Sequence, residues 1–378
     1  MIKTTHVGSL PRPATMITRQ LKKEDISSDD LRSYVHELLE RQIGLGLSYI
    51  NNGELPRPDY ISATTQRIAG FGSSCAAPIP QDLEELPEYS RRFSGRNGLI
   101  TLNPKAPIEL PACSADLTYE GEKSLRHELE MMISVFRELQ VVHPENDAEL
   151  FFTAPSPGTV ALFLENHYYK DYETYLTRLG EILQKEYDII SSYGIYLQID
   201  CPDLAMGRHT RYKHLDDNQF LEKIELNVAV LNNALEHIDR ERCRAHICWG
   251  NYPGTHHCDI GFERIFPAVM HLSPKYISLE SCNHRHAHEW ELFKTSAFPE
   301  DKVLLPGVID TTSHTVEHPE LVALRLGNFA RLLGADRVIG STDCGFASTA
   351  SAAGVSGEVA WLKLASLVEG AELATRRV

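Results

Sequence analysis

Several common protein classes are excluded by what this sequence lacks. No apolar run approaches the roughly 18 residues of a membrane span, and the opening MIKTTHVGSLPRP has no signal-peptide apolar core. A cytoplasmic protein with no membrane partner is therefore expected. Basic charge is scarce: 37 Lys and Arg face 52 Asp and Glu, a formal charge of −15. That balance argues against nucleic acid or an anionic membrane surface as partner, since either needs a clustered basic face. The eight cysteines (75, 113, 201, 243, 248, 258, 282 and 344) are scattered, without the dense spacing of a disulfide scaffold. Most are expected to be free thiols, with Cys113, Cys201 and Cys243 read as small buried hydrophobes. No Gly-x-Gly-x-x-Gly follows an apolar run and no Walker loop occurs, so dinucleotide and P-loop nucleotide sites have no sequence support.

What is present is an alternation. Across 378 residues, 42% of them hydrophobic, there is material for one large domain with insertions or two modest ones. Residues 28–44 carry Leu31, Tyr34, Val35, Leu38, Leu39 and Ile43 at helical spacing behind a Ser28 cap. LSYINNGE then reads as a strand ending at Glu54, and residues 55–106, rich in Pro, Arg, Ser and Gly, read as an insertion for which a hairpin is one option. Further apolar runs follow at 107–112, 149–154, 194–200, 243–248, 275–280, 302–308 and 336–343. Helical patterns fill the gaps near 120–140, 170–192, 218–238, 260–272, 286–298, 318–333 and 356–373. Counting LSYINNGE, eight strands alternate with helices, which predicts an α/β fold of the (β/α)8 TIM-barrel type. It would carry an N-terminal extension and an insertion after strand 1, and an open doubly wound sheet is the alternative.

In such a barrel the chemistry sits at the C-terminal strand ends, and Glu54, Asp200, His246, Cys248, Glu280, Asp310 and Cys344 all fall at or just past such ends. His246 and Cys248 are two apart, so they share one face of a strand. Alone the pair is weak, because 17 His and 8 Cys in this chain give roughly a third of one such pair by chance. With Glu280 and Cys344 it becomes imidazole, two thiolates and a carboxylate, a zinc ligand set. Two thiolates make the metal a poor water activator, and its better use is to ionise a substrate thiol for alkyl transfer. Thr255-His256-His257-Cys258 and the run from Cys282 to His288 offer competing ligands, ranked second because loops are less rigidly placed than strand ends.

The order Val7-Gly8-Ser9-Leu10-Pro11-Arg12, Asn52-Gly53-Glu54, Gln198-Ile199-Asp200, His246-x-Cys248, Glu280, Gly307-Val308-Ile309-Asp310 and Asp343-Cys344-Gly345 resembles the catalytic barrel of the cobalamin-independent methionine synthase family. The resemblance implies a zinc site of His246, Cys248, Glu280 and Cys344, with homocysteine sulfur joining the metal. It also implies that Ser9, Glu54 and Asp200 hold the amino acid's backbone groups, which suits two carboxylates facing an ammonium and a hydroxyl facing a carboxylate.

The departures from the family concern the methyl donor. Full-length methionine synthases have a second, N-terminal barrel that helps bind folate, and only the catalytic one is matched here. Trp249-Gly250-Asn251-Tyr252 replaces a Tyr-Ser-type sequence, and Cys201 replaces the glutamate of Ile-Asp-Glu-Pro. The family's proton-donating histidine falls on Thr312, with His314 two residues on as the catalytic candidate. Three readings compete. The first is a single-barrel methyl transfer to homocysteine, from a folate or a corrinoid protein. The second is a different thiol and electrophile, as in the epoxyalkane coenzyme M transferases, with His209, His257 or His314 as the acid. The third is a non-catalytic zinc-binding protein. The sequence leaves a homo-oligomer open.

Overall fold

The computed structural model describes all residues except 23, 25, 58, 94, 95, 98, 99 and 348–354, with only the backbone described at 20, 21, 60, 96 and 97. Eight parallel strands, numbered here in chain order around the barrel, are β1 (Lys3–Thr4), β2 (Tyr49–Ile50), β3 (Glu149–Pro155), β4 (Tyr196–Asp200), β5 (Cys243–Ile247), β6 (Tyr276–Leu279), β7 (Val303–Ile309) and β8 (Ile339–Thr342). Hydrogen-bonded neighbours run β2, β3, β4, β5, β6, β7, β8, β1. The ring closes where Ser48 N donates to Thr4 O at 2.9 Å and Thr4 N donates to Ser48 Oγ at 3.1 Å. The fold is the expected α/β (β/α)8 barrel.

One strand differs from the expectation. The run at 107–112 is not a stave of the barrel. It opens the strand Glu109–Tyr119, which pairs antiparallel with Ile68–Ala76 in a hairpin arm. Its place in the count is taken by Lys3–Thr4, which the sequence reading put in the N-terminal extension. A two-residue strand is too short to show a period, so only its pairing with β8 reveals it. The inserted segment therefore follows the second stave, not the first, and reaches residue 119. A buried ion network anchors its root: Arg67 pairs with Glu186 at 2.9 Å and with Glu128 at 2.5 Å, and Arg57 pairs with Glu128 at 3.3 Å.

The expected helices are present at Ser28–Leu45, Glu122–Val142, Tyr172–Ser192, Asp217–Ala234, Phe262–Met270, Pro319–Leu333 and Gly357–Thr375. The stretch after β6 makes only the 3-10 turn Glu289–Lys294. The helix Ser28–Leu45 starts where the Ser27 side chain accepts the N–H of Asp30 and stops at Gly46, whose φ of 82° is left-handed. No described helix is long and apolar enough to cross a membrane.

Strand alternation sorts the side chains into two cores. Outward residues such as Leu197, Ile199, Ala245, Ile247, Ile277 and Leu279 join the large cluster under the helices. Inward residues run from the bottom of the barrel to its mouth as Tyr196, Gln198, Asp200 on β4; Arg244, His246, Cys248 on and beyond β5; and Tyr276, Ser278, Glu280 on and beyond β6. The bottom layer is a separate apolar cluster of Tyr49, Phe151, Tyr196, Val303, Leu305 and Ile339. Polar and sulfur-bearing groups collect at the other end.

Candidate active site

At the mouth, β5 carries His246 inward and Cys248 follows on the same face, while the turn after β8 brings Cys344 opposite. One ligand atom from each of the three lies within 4.8 Å of the other two, and the two Sγ atoms are 3.6 Å apart. His246 Nδ1 meets Ser278 Oγ at 3.1 Å, whereas its Nε2 is buried with no hydrogen-bond partner. Burial lowers the imidazole pKa to about 3, with Arg244 adding to the effect, so the ring is neutral at neutral pH with a lone pair to offer. The hydrogen bond to Cys344, together with burial, pushes the Cys248 thiol well up. Gly250 N–H donates to its sulfur at 3.2 Å.

These observations fit a thiophilic metal. A buried nitrogen lacking a partner beside two close sulfurs is costly as it stands, and a divalent ion would satisfy all three.

Glu280 stands beside this cluster but outside the three-way grouping. Its Oε1 accepts Trp249 N–H at 2.8 Å and its Oε2 accepts the Asn283 side-chain amide at 2.8 Å. Burial, then the neighbouring Cys248, pushes its carboxyl pKa well up.

The second polar centre holds Ser9, Glu54 and Asp200. Glu54 is buried, has a left-handed φ of 58°, and accepts the Thr153 hydroxyl at 2.8 Å. Asp200 accepts Gln198 Nε2 at 2.9 Å. Burial, and next the charge of Glu54, raises the Asp200 pKa to about 8. Ser9 Oγ accepts Ala347 N–H at 3.3 Å, which leaves its own proton to donate. Arg12, of the same Gly-Ser-Leu-Pro-Arg stretch, staples three loops by donating to the carbonyls of Glu54 at 3.0 Å, Arg57 at 2.5 Å and Ala347 at 2.9 Å.

Two glycines permit the close approach. A Cβ on Gly345 would lie 2.1 Å from Ser9 Oγ, and one on Gly307 would lie 2.2 Å from Asp343 Oδ1.

A cavity of about 190 Å³ opens beside Cys344, with Glu280, Asp343, Asp310, His256 and His284 also in its wall. His314 is not brought to it; it lies on an exposed loop. Cys113, Cys201 and Cys243 are buried, as expected of packing thiols, and all eight cysteines are free.

Sequence reasoning missed the residues that position this cluster. Asp343 accepts the backbone N–H groups of Ser281 at 2.8 Å, Cys282 at 3.1 Å and Asn283 at 2.9 Å, fixing the loop that follows Glu280. Its carboxyl is nonetheless raised to about 6, chiefly by burial. Ser278 sits two residues before Glu280, so strand alternation was the available signal. Asp259 gave no such signal: it gathers His256 Nδ1 at 3.1 Å and His286 Nε2 at 3.2 Å. Against the effect of burial, Asp259 raises His256 to about 9, and Asp259 with Glu289 raises His286 to about 10.

Residues 170–369 match the family described as the cobalamin-independent synthase catalytic domain. The chain belongs to this family. The matched span includes Asp200, His246, Cys248, Glu280, His314 and Cys344, while Ser9 and Glu54 precede it. Over its full length the chain is 22% identical to a methionine synthase of Thermococcus kodakarensis, covering 95% of that protein. A 2-hydroxypropyl-CoM lyase of Xanthobacter autotrophicus is 25% identical over 171 residues, which is 39% of this chain and 44% of that protein. Among solved structures, a B12-independent methionine synthase from Shewanella sp. W3-18-1 superposes with a TM-score of 0.72 at 19% identity, covering 100% of this chain and 98% of that one. That likeness is one of fold. The family is enzymatic, made up of transferases of the methionine synthase type.

Proposed function

We propose that residues 1–378 act as one catalytic domain that transfers a methyl group to the sulfur of homocysteine, with zinc held by His246, Cys248 and Cys344. Two buried thiols and an unpaired imidazole nitrogen, converging under an open cavity, are the observation on which this rests. Zinc bound there supplies a centre that strips the proton from an acceptor thiol at neutral pH. Ser278 orients the His246 ring through Nδ1, and Asn283, itself held by Asp343, fixes Glu280 at the edge of the site, where its carboxylate would be the residue at hand to complete the shell of a bound zinc.

Glu54 and Asp200 select the acceptor. The buried Glu54 carboxylate and the half-buried Asp200 beside it, the latter pushed up to about 8 in part by the charge of Glu54, call for a cation between them. The ammonium of an amino-acid thiol meets that demand, and the Ser9 hydroxyl faces its carboxylate. A thiol bearing a sulfonate would be repelled, so the pair favours homocysteine over coenzyme M. His284 and His256 are the histidines that line the cavity, so a proton for the leaving group is nearer to hand there than from His314. A cytoplasmic setting accords with eight unpaired cysteines.

The deciding experiment incubates zinc-loaded protein with homocysteine or coenzyme M against methyl-folate, a methyl-corrinoid protein and an epoxide, and reads the thioether by mass. Methionine from a methyl donor is expected. A coenzyme M thioether with no methionine would overturn the acceptor assignment. A zinc-edge absorption spectrum unchanged by every thiol would leave only the non-catalytic zinc protein.

A further inference from the structure

Away from the mouth's sulfur cluster, a second group of metal-ligating side chains meets where the inserted segment touches the loop after β5. Glu85, at the end of the helix Gln81–Glu85, stands with His257 and Cys258, one ligand atom from each lying within 4.8 Å of the other two. His257 Nε2 is 2.9 Å from Glu85 Oε2, and Cys258 Sγ is 3.7 Å from the same oxygen. We propose that these three side chains form a second zinc site, separate from the one under the cavity, that clamps the inserted segment to the barrel.

The donor set suits zinc. Imidazole, thiolate and carboxylate are its three protein ligand types, and bond lengths of about 2.0–2.3 Å need only small rotamer shifts from the present separations. The His257 ring is already aimed, because Nδ1 is 2.7 Å from Thr255 Oγ1. With its proton on Nδ1 the ring donates to that hydroxyl and turns the Nε2 lone pair toward Glu85 and Cys258, the arrangement that orients metal-bound histidines generally.

The backbone on both sides is fixed independently of any ion. The buried Asp82 carboxylate accepts Thr255 N–H at 3.0 Å, His256 N–H at 2.8 Å and the Tyr252 hydroxyl at 2.9 Å, and Tyr89 donates its hydroxyl to Pro253 O at 2.9 Å. On binding, Cys258 loses its thiol proton to solvent as the sulfur–zinc bond forms, with no change of oxidation state. One carboxylate and one thiolate then neutralise the dication. The Glu85 and His257 side chains are 48% and 40% exposed, so the fourth position opens to water and the affinity falls below that of the buried site.

The test is zinc stoichiometry of the full chain at saturating zinc, measured for wild type, C258S, H257A, C344S and the C258S/C344S double variant. Two equivalents are expected for wild type, one for each single variant and none for the double. Cobalt substitution should show thiolate-to-metal absorption that partly disappears in C258S. A single equivalent in wild type, lost in C344S and kept in C258S, would overturn this proposal and leave the catalytic reading standing. A single equivalent lost in C258S and H257A but kept in C344S would support it and remove the catalytic zinc. Loss in C258S with none in H257A would reduce the site to a reactive surface thiol and overturn the proposal.

Discussion

The two ends of the barrel interior follow opposite rules. At the bottom, Tyr49, Phe151, Tyr196, Val303, Leu305 and Ile339 close the cylinder as an apolar plug. Tyr196 packs edge-on against Tyr49 at 5.1 Å and Tyr276 at 5.7 Å, and the Arg244 guanidinium lies over the Phe151 ring at 4.2 Å. At the mouth, two carboxylates repel each other, two thiols crowd together and an imidazole nitrogen has no partner. The same alternating strands build both ends, so the difference comes from side chains and not from backbone. Unpaired polar groups destabilise the free protein, and a tightly packed opposite end offsets that cost while leaving the mouth ready for ligands.

The contrast breaks most sharply at the sulfurs. Cys344→Ser should reduce zinc at the mouth and methyl transfer to background together, since a hydroxyl is a far poorer ligand. Metal analysis alongside turnover checks this, and a variant that kept its mouth zinc would refute the choice of cysteine. At the other end, Phe151→Ala should cost about 3–5 kcal/mol of stability in a denaturant titration with mouth zinc retained below the transition. Zinc lost from the still-folded variant would mean that the two ends are not independent.

Within the mouth, Glu54→Gln should keep the metal and weaken homocysteine binding about 10- to 100-fold, as expected for a charged hydrogen bond worth about 1.5–3 kcal/mol. Normal homocysteine binding would remove Glu54 from the acceptor site. Ser278→Ala should weaken zinc binding about 10- to 100-fold, read by chelator competition. The gentlest probe is pH. With Asp200 raised to about 8, ammonium binding should release a proton below that value and tighten with rising pH by up to about tenfold per unit. Calorimetry in two buffers reads the proton. The sign for stability is the reverse: the folded state holds a proton that the unfolded state has lost, so the free protein loses stability as pH climbs from the ordinary carboxyl range to about 8. Asp200→Asn should flatten that slope.

Much of this was legible in the chain. Period-two alternation marks the inward face of β4, β5 and β6, so His246 and Cys248 on one face, and Asp200 at a strand end, follow from local rules. Cys344 required the barrel, because its partners lie about a hundred residues away. Lys3–Thr4 is invisible as a strand, and 107–112 misleads as a barrel stave, since a short apolar run looks alike in a stave and in a hairpin arm. His314 gained its role from proximity in sequence to a family position, and a loop is free to carry such a residue outward.

The sequence by itself determined the alternation of strands and helices and the inward register that sets His246 and Cys248 on one face, because these depend on neighbours within a few positions. Only the tertiary structure decided that Glu280 stands aside on Trp249 and Asn283, that Glu54 faces Asp200, and that Glu85 of the insertion meets His257 and Cys258. Apart from the local Glu280–Asn283 bond, each of these pairs chain segments far apart in sequence, and only closure of the barrel and docking of the inserted arm bring them within reach.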